Sequence, residues 1–454
     1  MKKLFTPTIS IISFFLLIYI FYKSEIVWNG EKRDYYLIYY FICFILIAFS
    51  IFTFFIDEKI RQYLIIFSIT STFCLYIFEF YLEKKKTNYL KSGLTLQEKI
   101  FKEEIYKNQT GEKYDTRSVL KIFEDLRKIE KNIKVVVNPS FYIDKKNNIF
   151  PLSNVAMSKT IFCNELGYYS IYKSDRYGFN NPDKEWDKSE IEYLISGDSL
   201  IHGSCVNRPD DIGSVLRNLS KKSIINLGQS GTGPLIQYAA LKEYLNSNVN
   251  KVLWFYFEKN DLNNLSNELK NEILRNYMND PSFTQNLKTK QDTIDEIVSE
   301  SIIEQFKITK NLKKNENNFF NLDYKNIIKL SNIRTSLGNY LPPKYQPNFK
   351  PLTEFKLIIK SVKELVAKNN SKLYFIYLPQ YERYKYGMNN HLKDNYLNVK
   401  KTVEDLEIPF IDIHKELFAK SENPLIFFPF ELHGHYNVEG YKKIAEKVYE
   451  LSKN

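Results

Sequence analysis

The chain has 454 residues, of which 44% are hydrophobic, 16% aromatic and 26% charged, with 15 glycines and 15 prolines. This composition excludes a disordered or collagen-like chain and provides material for two or three domains. The 4 cysteines have neither the number nor the spacing of a disulfide framework or a thiolate metal site. The formal net charge is +11, but lysine is spread along the chain without an arginine-rich patch, so we do not expect nucleic acid as a partner.

Three long apolar runs occupy the first part of the chain, at residues 4–22, 36–56 and 63–82. Each has about the 20 residues that a helix needs to cross a bilayer, and charged residues separate the runs. The runs are apolar on every face, which argues against amphipathic helices of a soluble core. The first run could be a cleaved signal peptide, but it lacks a small-residue cleavage site. The sequence therefore predicts a membrane anchor of three transmembrane helices in residues 1–82.

Basic residues around the apolar runs bear on orientation. Lys2, Lys3, Lys59 and Arg61 flank one side, and a larger basic group that includes residues 84–86 flanks the other. The positive-inside rule thus favours a cytoplasmic position for the C-terminal part of the chain.

The remaining sequence predicts an α/β domain. Residues 83–150 read as a helical connector, with apolar side chains at three- and four-residue steps from Val119 after a possible cap at Asp115. Residues 151–454 contain five strand-like runs that alternate with helical stretches, which predicts a parallel sheet covered on both faces. The runs are 193–195, 223–227, 252–257, 373–378 and 410–413. Residues 262–348 are longer than a crossover needs and predict an insertion, either a lid or a surface subdomain.

A serine with the surroundings of a nucleophile follows the first of these strands. Ser199 stands in the sequence Gly197-Asp198-Ser199-Leu200, where the glycine permits a tight turn into a helix. A serine is weakly nucleophilic unless a base takes its proton. The candidate base is His435, in the sequence Gly434-His435-Tyr436-Asn437 near the end of the chain.

These motifs, with two more after the second and third strands, resemble the four blocks of the SGNH (GDSL) hydrolases over residues 163–454. The resemblance implies a flavodoxin-like SGNH fold with a five-stranded parallel sheet. It implies that Ser199 is the nucleophile, that His435 is the general base, and that no cofactor or metal is needed. The oxyanion hole would consist of the Ser199 N–H, the Gly231 N–H and the Asn260 side-chain amide.

Two departures from the family pattern concern the site. Glu258 stands where the third block usually has a glycine, which could alter the turn that presents Asn260. The family's orienting aspartate is also missing, because Leu432 and His433 occupy the places before His435. We expect Glu431 to orient the histidine instead. Otherwise a backbone carbonyl does so, and the site is a serine–histidine dyad.

Two further segments leave alternatives open. Residues 174–181 are similar to the lead-in of envelope-associated family members, and they also read as a polar turn. Cys163 lies near this lead-in, and Cys205 lies six residues after Ser199. The two cysteines form either one disulfide, which requires an oxidising compartment, or two unpaired buried thiols.

The resemblance implies a membrane-anchored serine esterase or O-acyltransferase that acts on ester-linked acyl groups, above all acetyl groups, of cell-envelope glycans or lipids. Such substrates lie outside the cytoplasm, so we expect an extracytoplasmic domain on an inner-membrane anchor, against the count of basic residues. The first alternative is a catalytically inactive SGNH-fold protein that binds a glycan. The second is a lipase held at the membrane surface, which a preference for long acyl chains would distinguish from a deacetylase.

Overall fold

The computed structural model describes residues 5–27, 30, 33–53, 55–89, 96–145, 148–316, 327–333, 351–387 and 390–453. The chain divides into two compact units: residues 1–91 with 316–348, and residues 92–315 with 349–454. The predicted insertion at 262–348 is therefore shared between the two units. Most of the predicted connector, from residue 92 onward, belongs to the second unit.

The first unit contains the apolar helices. They are α1 (Phe5–Phe21), which continues as the π-helical turn Tyr22–Val27, α2 (Arg33–Phe52) and α3 (Glu58–Tyr89). Among the described residues, two segments, Ser10–Val27 and Glu58–Leu82, are long and apolar enough to cross a membrane, while the apolar part of α2 is the shorter Tyr39–Phe52. That part rises about 21 Å at 1.5 Å per residue, against about 30 Å of bilayer core. The prediction of three such helices is therefore wrong, because α2 begins with charged residues and ends at Phe52.

One acidic side chain in α3 accepts hydrogen bonds from the segment 327–333, in the later part of the predicted insertion. The Glu79 side chain is fully buried, and its carboxylate accepts hydrogen bonds from Asn332 N, Asn332 Nδ2 and Ile333 N at 2.8, 2.9 and 2.8 Å. A buried carboxylate requires such donors. The segment 327–333 therefore packs within the first unit.

The second unit is built on a five-stranded parallel sheet, so the sequence-based prediction of such a sheet is confirmed. Its strands are β4 (Ile191–Ser196), β5 (Ile224–Asn226), β6 (Val249–Phe257), β7 (Lys372–Leu378) and β8 (Phe410–Asp412). Their order is β5-β4-β6-β7-β8, and every neighbouring pair is parallel. This is the strand order of flavodoxin-like sheets, in which ligands bind at the carboxyl ends of the strands.

Alternate residues of each strand point to opposite sides of the sheet. Both sides carry apolar residues, and helices cover both. Leu194 and Trp254 belong to one buried core, and Ile195 and Phe255 belong to the other. The α-helices of this unit are α4 (Leu96–Thr110), α5 (Val119–Arg127), α6 (Ser199–His202), α7 (Ile212–Ser220), α8 (Pro234–Tyr244), α9 (Asp261–Glu268), α10 (Glu272–Asn279), α11 (Gln291–Glu316), α12 (Leu352–Lys368), α13 (Tyr381–Lys385), α14 (Asn390–Asp405), α15 (Ile413–Glu416) and α16 (Val438–Ser452). Short 3-10 helices lie at Pro139–Tyr142, Asp183–Asp187, Leu287–Thr289, Phe418–Lys420, Pro424–Phe427 and Pro429–Glu431. Helix α5 is capped by Ser118 instead of the predicted Asp115.

A second, three-stranded sheet, with 3 residues in each strand, was not predicted from the sequence. It consists of β1 (Ile133–Val135), β2 (Lys159–Ile161) and β3 (Ile171–Lys173). Strand β1 is parallel to β2, and β2 is antiparallel to β3. The β2–β3 hairpin carries the loop of residues 162–170, which extends to the site described below.

The lead-in segment 174–181 forms a hydrogen-bonded turn. The buried Asp175 carboxylate accepts bonds from Tyr177 N, Phe179 N, Asn181 Nδ2 and Trp186 Nε1. The Asn181 side chain in turn bonds to both the N–H and the C=O of Asn226 at the end of β5. The segment therefore joins the two sheets near the carboxyl end of the large one.

Glu258 at the end of β6 forms a buried ion pair with Arg383 of α13, with 1% and 4% of the respective side chains exposed. Its carboxylate also accepts from Tyr377 Oη and Gln380 N, both at 2.8 Å. The residue that departs from the family pattern thus joins β6 to β7 and α13.

We predict that Arg383→Met destabilises the protein by about 3–5 kcal/mol, because the substitution leaves the Glu258 carboxylate buried without its cation. The matched control is Lys401→Met, which removes a pair with Asp405 whose side chains are 73% and 43% exposed. That change should cost less than about 1 kcal/mol. Denaturant unfolding of the full chain measures the free energy of unfolding of both variants. Equal losses of stability would contradict the assignment of Glu258–Arg383 as a stabilising buried ion pair.

Candidate active site

Ser199 lies at the carboxyl end of the large sheet, at the first residue of α6. A Cβ on Gly197 would lie 2.5 Å from Ile201 Cγ1, so the turn between β4 and α6 requires glycine there. The Asp198 carboxylate accepts from Leu200 N at 3.0 Å and caps this short helix. The N–H groups of Leu200, Ile201 and His202 are all bonded to Asp198. The Ser199 N–H, at the start of the helix, donates no hydrogen bond within the described part of the chain.

His435 reaches Ser199 from the other end of the chain. The distance from His435 Nε2 to Ser199 Oγ is 3.0 Å. The histidine precedes α16, whose start is capped by the Asn437 side chain through a 2.9 Å bond from Gly440 N. The structure therefore brings the predicted nucleophile and the predicted base into hydrogen-bond contact.

The acidic partner of His435 is Glu165, in the loop between β2 and β3, and not the predicted Glu431. Glu165 Oε1 lies 2.9 Å from His435 Nδ1, and Oε2 accepts from His435 N at 2.6 Å. A Cβ on Gly434 would lie 2.7 Å from Glu165 Oε2, so the residue before the histidine must be small for the carboxylate to fit.

Glu431 is exposed and lies outside this chain of contacts. Phe430 and Glu431 both adopt left-handed backbone conformations, with φ of 54° and 56°. This turn directs the Glu431 carboxylate to Asn423 Nδ2, at 3.1 Å, and its carbonyl to Tyr381 Oη. The expectation that Glu431 orients His435 is therefore corrected to Glu165.

Glu165 and His435 shift each other's pKa values, so that the glutamate stays ionised and the histidine binds a proton more readily. Burial acts to raise the pKa of Glu165, but the charge and hydrogen bonds of His435 outweigh it, and the pKa lies below its ordinary value. Burial acts to lower the pKa of His435, but the charge and hydrogen bond of Glu165 outweigh it, and the pKa is raised. The ionised carboxylate fixes the proton on Nδ1, which leaves Nε2 free to accept the Ser199 proton.

The three predicted oxyanion donors lie on the loops that follow β4, β5 and β6. The Gly231 N–H donates no hydrogen bond within the described part of the chain, and its φ of 75° requires glycine. Its loop is tied to the nucleophile turn by a 3.2 Å bond from Gln229 N to Gly197 O. Asn260 occupies the N-cap position of α9 without a side-chain capping bond. Burial raises the pKa of the neighbouring Asp198, and a hydrogen bond from the Asn260 side chain is among the effects that oppose this rise.

Two buried aspartates support these loops. Burial raises the pKa of Asp198, against the opposing effects of the Leu200 N–H and the His435 charge. Burial raises the pKa of Asp261 well above its ordinary value, and the charge of Asp198 adds to the effect. Asp261 accepts from Phe257 N at 3.1 Å at the end of β6. Each negative charge disfavours the other, so the two carboxyl groups do not readily ionise together.

A charged cluster of Lys259, Glu382 and His433 lies beside the site. Lys259 Nζ and His433 Nε2 are 2.8 and 3.1 Å from the same Glu382 oxygen. Burial opposes ionisation of Glu382, but hydrogen bonds from His433 and Lys259 lower its pKa to about 2. Lys259 also opposes the raised pKa of His435. His433 is therefore part of this ion cluster at the edge of the site.

Cys163 and Cys205 form a disulfide, so the bonded alternative holds in the structure. Ligand-type atoms of Glu165, Cys205 and His435 lie within 4.8 Å of one another, a spacing that could suit a metal ion. However, the Cys205 sulfur is bonded to Cys163, and only two of these groups remain available as ligands. Zinc sites use three or four protein ligands, so we assign no metal to this cluster.

His202, one turn after Ser199, is fully buried and structural. Its Nδ1 accepts from Ser230 N at 3.2 Å, and its Nε2 lies 2.8 Å from Tyr172 Oη. Burial lowers the pKa of His202 to about 3, so the ring is neutral. The bond from Ser230 N to His202 fixes the position of Ser230, the residue that precedes Gly231.

Neither the family models nor the curated proteins contain a match to this sequence. Among solved structures, a protein of Desulfitobacterium hafniense DCB-2 described as a lipolytic protein of the G-D-S-L family matches with a TM-score of 0.31 and 15% identity. The match covers 58% of this chain and 99% of that chain.

We predict that Glu165→Gln lowers the pKa of His435, because the carboxylate stabilises the protonated ring and a neutral amide does not. In the wild type, the midpoint should lie above the ordinary histidine value of about 6.5. The measurement is an NMR titration of 13C-histidine-labelled protein, with the signal assigned by His435→Ala. Glu431→Gln is the matched control and should leave the midpoint unchanged. A shift in Glu431→Gln without one in Glu165→Gln would contradict the geometry.

Proposed function

We propose that the protein is a serine hydrolase or acyltransferase that acts on esters. The observation that carries the proposal is the contact chain from Ser199 through His435 to Glu165, with distances of 3.0 and 2.9 Å. The three residues come from distant parts of the sequence and meet at the carboxyl end of a parallel sheet. Such a nucleophile, base and orienting acid define acyl transfer through a covalent intermediate.

In the proposed reaction, Ser199 Oγ attacks the carbonyl carbon of the ester while His435 Nε2 takes its proton. The developing oxyanion accepts hydrogen bonds from the N–H groups of Ser199 and Gly231 and from the Asn260 amide. The C–O bond to the alcohol then breaks, and His435 returns the proton to the leaving oxygen. Each oxyanion donor is worth about 10²–10³ in rate.

The resulting acyl-enzyme is resolved by a second oxygen nucleophile. His435 takes a proton from water or from an acceptor hydroxyl, whose oxygen attacks the acyl carbon. The bond from that carbon to Ser199 Oγ then breaks, and His435 gives the proton to the serine oxygen. Water as the acceptor gives hydrolysis, and a sugar hydroxyl gives acyl transfer. Glu165 stabilises the imidazolium that forms in both halves of the reaction, and the proposed mechanism uses no cofactor.

We further propose that the first unit anchors the chain in a membrane. Large apolar side chains on its helices are exposed, including Phe14 at 56%, Phe67 at 69% and Phe73 at 66%. Only 17% of the Ser10–Val27 window and 6% of the Glu58–Leu82 window are buried. A helix in a soluble core would bury these faces, whereas a bilayer covers them.

The disulfide supports an extracytoplasmic catalytic unit, against the orientation suggested by basic residues. Disulfides persist in oxidising compartments and are rare in the cytosol. Acyl esters of cell-envelope glycans or lipids are then the accessible substrates. The non-catalytic alternative rested on Glu258 and on the missing aspartate. Glu258 has a structural partner in Arg383, and Glu165 supplies the acid.

The test of the proposed activity is hydrolysis of p-nitrophenyl esters by the purified full chain. We expect Ser199→Ala to reduce the rate by at least about 10³. Ser204→Ala is the matched control, since this buried serine lies in the next turn and its Oγ has no hydrogen-bond partner among the described residues. A rate that falls from acetate to palmitate favours a deacetylase, and a rising rate favours a lipase. Activity that survives Ser199→Ala would overturn the proposal.

The proposed location predicts that Cys163 and Cys205 are oxidised in cells. Acid-quenched cells are denatured, treated with iodoacetamide and analysed by mass spectrometry. We expect the peptides of Cys163 and Cys205 to be alkylated only after reduction, and that of the free Cys74 to be alkylated without it. Alkylation of all three without reduction would contradict an extracytoplasmic unit.

A further inference from the structure

The loop that carries Glu165 has a covalent link to the segment that follows the nucleophile helix. Cys163 lies two residues before Glu165, and Cys205 lies six residues after Ser199, in the turn that ends α6. The two partners of His435 therefore stand on backbone segments that the disulfide joins. The Cys205 sulfur itself lies within 4.8 Å of the Glu165 and His435 contact atoms.

Weaker contacts hold the same loop at its other points. Asn164 Nδ2 donates to Asp115 O at 2.8 Å, and Ile171 N donates to Asn207 Oδ1 at 2.8 Å. The first contact is made by the residue between Cys163 and Glu165, and the second lies at the start of β3. The Glu165 carboxylate itself is hydrogen-bonded to His435, through the backbone N–H and through Nδ1. Loss of the disulfide would therefore loosen the glutamate without unfolding the hairpin.

We propose that the Cys163–Cys205 disulfide is a positioning element for the catalytic site: it holds Glu165 against His435, and its reduction uncouples the acid from the base. The inference rests on the proposed function for its activity readout. A dithiol such as dithiothreitol supplies the two electrons and two protons that convert the disulfide into two thiols, and the reagent becomes a cyclic disulfide. The loop then moves away from Nδ1 of the histidine.

Two consequences separate positioning from a general structural role. Without Glu165 in place, the pKa of His435 falls, so the acid limb of the pH profile of kcat/KM shifts to lower pH. The value of kcat/KM also falls by about 10- to 100-fold, as expected for a misplaced catalytic group. A merely structural disulfide would reduce the active fraction and leave the pH limb where it was.

The experiment compares oxidised and reduced full-length protein, and the Cys163→Ser/Cys205→Ser double variant, on p-nitrophenyl acetate from acidic to alkaline pH. A chelator is present, because a freed Cys205 thiolate beside Glu165 and His435 could bind metal. We expect the reduced protein and the double variant to share the lowered kcat/KM and the shifted limb. Cys74→Ser, which changes a free cysteine, should behave as wild type.

The decisive arm uses Glu165→Gln. If the disulfide acts through Glu165, reduction lowers the rate of the wild type and has little further effect on Glu165→Gln. Equal fold-losses in both backgrounds would overturn the inference, as would an unshifted pH limb in reduced protein whose circular dichroism is native. The NMR titration of His435 in reduced protein gives the same answer without any activity. An oxidised wild type that hydrolyses no ester would instead count against the proposed function.

Discussion

The hydrogen bond between Glu165 and His435 is the constraint on which the site depends. It fixes which ring nitrogen carries the proton, and it raises the pKa of the histidine against the opposing effect of burial. Without it, the imidazole beside Ser199 would be free to turn or to hold its proton on the wrong nitrogen. The hairpin carries Glu165, and the glycine before His435 leaves room for its carboxylate.

Buried carboxylates maintain the scaffold around this contact, and each is satisfied in a different way. Asp175 takes N–H groups of its own turn and the side chains of Asn181 and Trp186. The Glu258 carboxylate is paired with Arg383. The Glu268 carboxylate accepts hydrogen bonds from the first N–H groups of α8, and burial raises the pKa of Glu268 to about 7. Such groups would cost several kcal/mol if left unpaired. They therefore hold the loops at the carboxyl end of the sheet in defined positions.

The sheet and the serine–histidine pair could be predicted from the sequence because their signals are local. Each strand of the large sheet is a run of branched and aromatic residues, and Ser199 follows a strand within a glycine turn. Glu165 carries no such signal, since it lies 270 residues before His435 and in a hairpin whose strands have 3 residues each. Proximity in the sequence therefore favours Glu431, but its left-handed backbone directs its carboxylate away from His435. The nearby cysteine pair was the one available indication that residues 163–205 form part of the site.

The central claim is that Ser199 is activated by His435 and Glu165. Its most direct test is labelling of the oxidised full-length protein with a fluorophosphonate, followed by mass spectrometry of the modified peptide. We predict that the reagent labels Ser199 in the wild type and in Ser204→Ala. The label should be absent in His435→Ala and should form far more slowly in Glu165→Gln. A folded wild type that takes no label, or a label that persists after Ser199→Ala, would contradict it.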